Sequence, residues 1–361
     1  MRVLVTGGSG FLGQHVVTAL RAAGHEVIAP SSRELNLVSP SACSGVNGGP
    51  IQYGYPVVGP LAWTDRSIDA IYFYLAQQEP DAVVHLAATV GGIGANKDNP
   101  GKFIYENLQM GLNVFEACRL ANVKKVVNVA TVCAYPKHTP VPFKEEDIWN
   151  GYPEETNAPY GIAKKTIMEM GIAYHKQYGM NITNLVPVNM AGEYDNFSPD
   201  SSHVIPAIIT KFEHANYDPG IRCMCSCHRN HAIRHIVACC HNGYNKKPKV
   251  TITLWGTGSA SREFLYASDC AKAIALSLEI DTGPQPINLG TGQEITIREV
   301  AEIIKRIGCY GAEILWDASK PDGQPRRSLD TSRAKTILGW EATTPLEETI
   351  SRTIKWYRTN E

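Results

Sequence analysis

No apolar run in this chain reaches the ~18 residues that a membrane-spanning helix requires. Its opening residues also lack the basic segment, apolar core and small-residue cleavage site of a secretory signal, so the expected compartment is the cytoplasm. Excess charge of either sign is missing as well. With a net charge of -1, no global field is available to recruit nucleic acid or an anionic membrane. The ten cysteines show no disulfide-framework spacing outside one cluster, which suits reduced thiols in a large intracellular protein. There is no internal repeat. What remains is an ordinary globular composition, 43% hydrophobic and 19% charged over 361 residues, enough for one large α/β domain or two smaller ones.

The N-terminus is the first informative segment. A short β-branched run, Arg2 to Thr6, leads into Gly7-Gly8-Ser9-Gly10-Phe11-Leu12-Gly13, and Val16, Val17 and Leu20 then continue at helical spacing to a stop at Gly24. Strand, glycine turn and helix in that order make a phosphate cradle. Glycines let the backbone approach a pyrophosphate, and the helix start offers amide donors. Gly7, Gly10, Phe11, Leu12 and Gly13 are therefore candidate cofactor contacts. The Gly-x-x-Gly-x-x-Gly spacing is a variant of the usual dinucleotide fingerprint.

A second strand is expected near His25 to Arg33. Where NAD enzymes place a carboxylate for the ribose 2′-hydroxyl, this chain has Ser31, Ser32 and Arg33, with Glu34 just beyond. Hydroxyl and guanidinium suit a 2′-phosphate, so NADP is the expected cofactor, with Ser32 and Arg33 as its contacts.

Strand-like and helical stretches then alternate. Asp81 to Ala88 reads as a buried parallel strand entering a loop, which makes Ala87 and Ala88 further cofactor candidates. A helix with Leu108, Leu112 and Phe115 on one face follows, then a strand Val126–Ala130 ending at Thr131 and Cys133. A helix from Tyr160 to about Gln177 and a strand Asn181–Val186 complete a doubly wound parallel sheet of the Rossmann kind, with ligands expected at its carboxyl edge. Tyr160 and Lys164 lie four apart and so share a helix face. A phenol beside an ammonium, with the Thr131 hydroxyl near, is the set that carbonyl reduction by a hydride cofactor needs.

The second half mixes short elements. Helices are expected at 269–278, 297–307 and 346–357, with strands near 251–254 and 287–289. The division expected is a dinucleotide-binding domain over 1–190, to which segments from about 251–290 could return, and a smaller α+β substrate-binding domain over 191–361. Two stretches, 40–63 and 216–248, break the pattern as inserts. The second carries Cys223, Cys225, Cys227, His228, His231, His235, Cys239, Cys240 and His241. Thiols and imidazoles suit zinc, but Cys-x-Cys-x-Cys-His lacks the paired spacing of common structural sites, so no metal is assigned.

Several longer motifs carry a resemblance. They are Val90-Gly91-Gly92-Ile93 with Asn96, Cys133-Ala134-Tyr135-Pro136, Asp195-Asn196-Phe197 through Ser202-His203-Val204-Ile205-Pro206, Trp255-Gly256-Thr257-Gly258, Arg262-Glu263-Phe264-Leu265 and Ser319-Lys320-Pro321-Asp322-Gly323. With these the chain resembles the extended short-chain dehydrogenase/reductases, specifically those acting on GDP-linked 4-keto-6-deoxy sugars. The resemblance implies NADPH-dependent epimerisation at C3 and C5 and reduction at C4 of GDP-4-keto-6-deoxy-D-mannose. It casts Tyr160, Lys164 and Thr131 (in a position usually Ser) as the reductive set, and Cys133 and His203 as the acid/base pair for epimerisation. It places Lys164 on the nicotinamide ribose, Pro187, Asn189, Met190 and His203 along the cofactor, and Lys211, Trp255, Arg262 and Asp322 on the GDP-sugar. It also implies a homodimer through helices near 104–121 and 160–178. Thiol and imidazole both exchange protons near neutrality, and the C4 ketone acidifies both neighbouring C–H bonds. A simple 4-reductase or epimerase of another 4-keto nucleotide sugar, and a dinucleotide-binding redox or metal sensor, remain the alternatives.

Overall fold

The computed structural model describes residues 1–38, 66–199, 201–216, 251–320 and 322–361. Nearly all of both expected inserts, including the Cys/His cluster, lies outside the described residues.

The chain builds its main sheet with β1 (Arg2–Thr6), β2 (Glu26–Ile28), β3 (Ala82–His85), β4 (Lys125–Val129) and β5 (Ile182–Pro187). It then leaves for β6 (Asn189–Ala191), β7 (Thr251–Trp255) and β8 (Ser261–Tyr266), and returns with β9 (Pro286–Leu289). The last strands are β10 (Glu294–Thr296) and β11 (Glu313–Asp317). The six main strands run parallel in the order β2-β1-β3-β4-β5-β9. The order reverses between β1 and β3, which opens a crevice at their carboxyl ends.

Helices cover both faces of this sheet: α1 (Phe11–Ala22), α2 (Arg66–Gln78), the short α3 (Ile93–Asp98), α4 (Pro100–Leu120) and α5 (Ala158–Tyr178). The later helices are α6 (Val204–Asn216), α7 (Ala267–Glu279), α8 (Ile297–Ile307), α9 (Ser332–Leu338) and α10 (Leu346–Asn360). Strands β3, β4 and β5 are buried along their whole length, as strands with helices on both faces are, and the buried Asn128 donates to Asn184 across β4 and β5 at 2.7 Å. One core packs α1 and α7 against Val5, Val84, Val127 and Leu185. Another, on the opposite face, packs α4 and α5 against Leu4, Val83, Val126 and Ile182.

One expectation needs adjustment. Phe115 is fully buried, but Leu112 is 41% exposed, because the inward stripe of α4 runs instead through Phe103, Met110 and Val114. The strand expected near 287–289 is the sixth strand of the main sheet, so this part of the 251–290 stretch returns to it.

The remaining elements form a smaller unit. A three-stranded sheet β10-β8-β6 and a parallel pair β11-β7 pack with α6, α8 and α10 around Phe197, Phe212, Leu254, Phe264, Ile304 and Ile350. Helix α8 starts with a reciprocal cap, in which Thr296 accepts from the Glu299 amide while the Glu299 carboxylate accepts from the Thr296 amide. Buried Glu263 ties the two units together. Its carboxylate accepts from the amides of Thr291, Gly292 and Leu329 and from the Ser328 hydroxyl.

Candidate active site

A cavity of about 970 Å³ runs between the two units along the carboxyl edge of the main sheet. Its floor at the N-terminal end is the glycine turn. Gly7 has φ +72°, and a Cβ there would stand 2.9 Å from the Ala87 amide nitrogen, so the loops after β1 and β3 touch only because this residue is glycine. Gly10 caps α1 with no side chain bonded to the first turn, which leaves that turn's amides to the cavity. Uncapped amides over a surface without side chains fit the pyrophosphate of a dinucleotide.

Ser32, Ala87 and Ala88 line the same end, and Pro187, Asn189 and Met190 line its middle. Arg33 is exposed and is the only sequence-predicted site residue that the structure does not bring to the cavity wall. Glu34 turns back on its own loop, where its carboxylate accepts from the Ser31 amide at 2.7 Å.

Thr131, Cys133, Tyr160, Lys164 and His203 all face the centre of the cavity. Thr131 follows β4 by two residues and caps a single 3-10 turn, Val132–Ala134, its hydroxyl accepting from the Cys133 amide at 3.2 Å. Helix α5 lies directly on that turn at Gly161, where a Cβ would stand 2.2 Å from the Cys133 carbonyl oxygen. This contact is what brings Tyr160 beside Thr131 and Cys133. Burial pushes the Tyr160 phenol well above its usual range and the charge at Cys133 adds to the rise, while the Thr131 hydroxyl works against it.

Lys164 is 4% exposed and donates to the Val129 carbonyl at 3.1 Å. Burial lowers its pKa to about 8, so the ammonium is held close to its titration point. The group that lowers the Tyr160 pKa here is thus Thr131, whereas the ammonium faces the end of β4. Beside it His85, fully buried and bonded to the Thr6 hydroxyl at 2.9 Å, is driven down to about 3 by burial and by the charge of Lys164. His85 therefore stays neutral under the cofactor floor.

His203 enters from the other side, immediately before α6, with Nδ1 3.2 Å from the Asp195 carboxylate. Burial would lower its pKa, but the hydrogen bond and charge of Asp195 outweigh that and raise it.

The wall toward the second unit is cationic. Arg262 has its pKa lowered to about 10 by burial and then by the neighbouring charge of Arg327. Two guanidiniums that disfavour one another are stabilised by an anion, so this wall suits a diphosphate. Sequence reasoning missed Arg327. It is 7% exposed, is braced by Gln324 at 2.9 Å and 3.2 Å, and places its remaining nitrogen 3.6 Å from the Cys133 sulfur. The available signal was the basic pair Arg326-Arg327, separated from the Asp322-Gly323 motif by Gln324 and Pro325.

Lys211 lines the cavity from α6 and donates to the Thr253 carbonyl at 2.7 Å. Trp255 is 60% exposed at the far end, with the Lys320 ammonium 5.6 Å from its ring centre. Asp322 lines the cavity too, but its carboxylate holds the Gly256–Gly258 turn by accepting from the Thr257 amide at 2.7 Å and the Thr257 hydroxyl at 2.8 Å. Among the described residues no group of three His, Cys, Asp or Glu side chains could hold a metal. Among the described helices none is long and apolar enough to cross a membrane.

This arrangement, a dinucleotide cradle opening onto a hydroxyl–phenol–ammonium set, defines a short-chain dehydrogenase/reductase of the extended kind. The chain belongs to the NAD dependent epimerase/dehydratase family, which it matches over residues 3–290. It is 35% identical over 296 residues to the probable GDP-L-fucose synthase 1 of Oryza sativa subsp. japonica, covering 82% of this chain and 81% of that one. With the GDP-L-fucose synthase of Sinorhizobium fredii it shares 31% over 359 residues, 99% of this chain and 96% of the relative. Among solved structures, a GDP-6-OMe-4-keto-L-xylo-heptose reductase from C. jejuni superposes with a TM-score of 0.80 at 27% identity, covering 100% of this chain and 98% of that one.

Proposed function

We propose that the protein converts GDP-4-keto-6-deoxy-D-mannose to GDP-L-fucose, inverting C3 and C5 and reducing C4 with NADPH. The observation that carries this reading is the placement of Cys133 and His203 in the same cavity as Thr131, Tyr160 and Lys164. A reductase needs only the latter three. A thiol and an imidazole added around the same centre supply a proton acceptor and a proton donor for carbons flanking the ketone. The names of the relatives at 31–35% identity point the same way.

The residues divide the work as follows. Thr131 and Tyr160 hydrogen-bond the C4 oxygen and so stabilise the enolate formed when a proton leaves C3 or C5. Cys133 and His203 remove and return those protons. NADPH, when bound, supplies the hydride for C4. Tyr160 gives its proton to O4 as that oxygen becomes a hydroxyl, the Thr131 hydroxyl favours the phenolate that results, and Lys164 stands where it would hold the nicotinamide ribose. Arg262 holds the diphosphate with Lys211 near it, and Trp255 offers a flat apolar surface to the nucleotide base. Ser32, with Arg33 on the adjoining surface, accounts for preference for the 2′-phosphate.

A homodimer suits α4 and α5, whose outer surface presents Tyr105 at 59% and Leu112 at 41% exposure. A cytoplasmic setting suits an NADPH-dependent enzyme of this kind. The test is incubation with GDP-4-keto-6-deoxy-D-mannose and NADPH, with product stereochemistry read by NMR. GDP-L-fucose is the expected product. A C4-reduced product that keeps the manno configuration at C3 and C5 would reduce the assignment to a simple 4-reductase, and no NADPH consumption would end the enzyme reading.

A further inference from the structure

Among the described residues, Asp195 is the carboxylate bonded to a proton-exchanging side chain of the cavity. It follows β6, and its side chain is 1% exposed, whereas that of His203 is 44% exposed. The His203 exposure is toward the cavity that it lines. The two groups thus form a layered pair, with the carboxylate in the protein and the imidazole at the surface of the site.

The bonding of Asp195 is sparse. Oδ1 accepts from the Asn196 amide at 2.7 Å and lies 3.2 Å from His203 Nδ1, while Oδ2 is buried with no hydrogen-bond partner among the described residues. An ionised carboxylate only accepts hydrogen bonds, so Nδ1 must carry a proton for this contact to be favourable. A buried carboxylate with so few donors is costly to keep unless positive charge stands beside it. An imidazolium at His203 supplies that charge, consistent with the raised pKa of the ring. The backbone holds the geometry on both sides. The His203 carbonyl accepts from the Ala207 amide in the first turn of α6 at 2.9 Å, and the Phe197 side chain beyond Asp195 is buried against Trp356 and Tyr357.

We propose that Asp195 is a positioning residue for proton exchange at the sugar, fixing the His203 ring with Nδ1–H turned into the protein and Nε2 presented to the substrate. The inference rests on the reading of His203 as a proton-exchanging group. In each cycle the proton moves between Nε2 and a carbon next to the ketone, with charge balanced between imidazole and enolate, while the Nδ1 proton stays in place. Asp195 touches no substrate atom.

The test compares wild type, Asp195→Asn, His203→Gln and the double variant in D2O. Deuterium entering C3 and C5 of GDP-4-keto-6-deoxy-D-mannose without NADPH reports proton exchange. Oxidation of GDP-L-fucose by NADP+ reports hydride transfer alone. Asparagine keeps an oxygen for Nδ1–H but removes the charge. Asp195→Asn is expected to slow exchange by about 10²-fold, with KM and hydride transfer within about twofold. The double variant is expected to be no slower than His203→Gln, because the two residues act as one unit. Unchanged exchange in Asp195→Asn would overturn the proposal. So would equal loss of exchange and hydride transfer, which would mark Asp195 as structural. Absence of exchange in the wild type would instead remove the underlying reading of His203. Should Asp195→Asn fail to fold, ¹⁵N-histidine NMR of the intact wild type decides, with His203 identified by its absence in His203→Gln. A protonated Nδ1 is expected, and a ring protonated only at Nε2 would overturn the proposal.

Discussion

Arg327 and Cys133 are 194 residues apart in the chain, yet Nη1 of the guanidinium lies 3.6 Å from the thiol sulfur. Gln324 occupies the other face of the guanidinium, so this nitrogen is aimed and not merely near. The contact fixes where the thiol sulfur points within the cavity. Replacing Arg327 with Met should slow deuterium exchange at C3 and C5 about tenfold by releasing the thiol from this orientation, while oxidation of GDP-L-fucose by NADP+ changes less. An unchanged rate would mean that Arg327 serves only the diphosphate.

Removal of the Tyr160 hydroxyl separates the two halves of the reaction. Tyr160→Phe should lower NADPH consumption by about 10²- to 10⁴-fold, the usual worth of a positioned general acid. Deuterium exchange at C3 and C5 should fall less, because Thr131 still hydrogen-bonds O4. Equal losses in the two assays would show that a single hydroxyl carries all stabilisation of the enolate.

Lys164 makes a prediction about stability rather than turnover. Its pKa is about 8 in the folded protein against an ordinary 10.5, so between those values the unfolded chain binds the extra proton. Stability therefore rises with pH through this window, and the burial penalty, of the order of 3 kcal/mol, is present in full below pH 8. Chemical denaturation at pH 7, 8.5 and 10 should show a rise in wild type that is smaller in Lys164→Met. Lys125, also 4% exposed and lowered to about 8, contributes to the rise in both proteins, so the difference between them isolates Lys164.

Gly161 is required for contact and not for backbone freedom. An added methyl would collide with the Cys133 carbonyl, which must then shift together with Thr131. Gly161→Ala should cost about 1–3 kcal/mol and lower exchange and reduction together by at least about tenfold. Thermal unfolding and both assays read this directly, and full activity with unchanged stability would contradict the close packing of α5 on the 3-10 turn.

Much of the fold was legible because local signals agreed with it. The β-branched run, the glycine turn and the spacing of Val16, Val17 and Leu20 all belong to one strand-turn-helix unit. Tyr160 and Lys164 were legible because a helix fixes their relation without reference to the rest of the chain. Leu112 misled because its neighbour Phe115 faces the core while the helix turns the leucine outward. Arg327 and the Asp195–His203 pair depend on contacts that only the folded cavity creates. Arg33 shows the converse, since charge at the expected place in the sequence does not ensure a position on the wall.

The late arrival of β9 has a consequence for how the molecule is made. During synthesis the edge of β5 has no neighbour until Pro286–Leu289 leaves the ribosome, after β6, β7 and β8 have already emerged. An exposed parallel edge is an invitation to pair wrongly with another chain. The nascent protein thus has a defined interval of vulnerability, and truncations that end before residue 286 should be found in aggregates rather than as free-standing nucleotide-binding fragments.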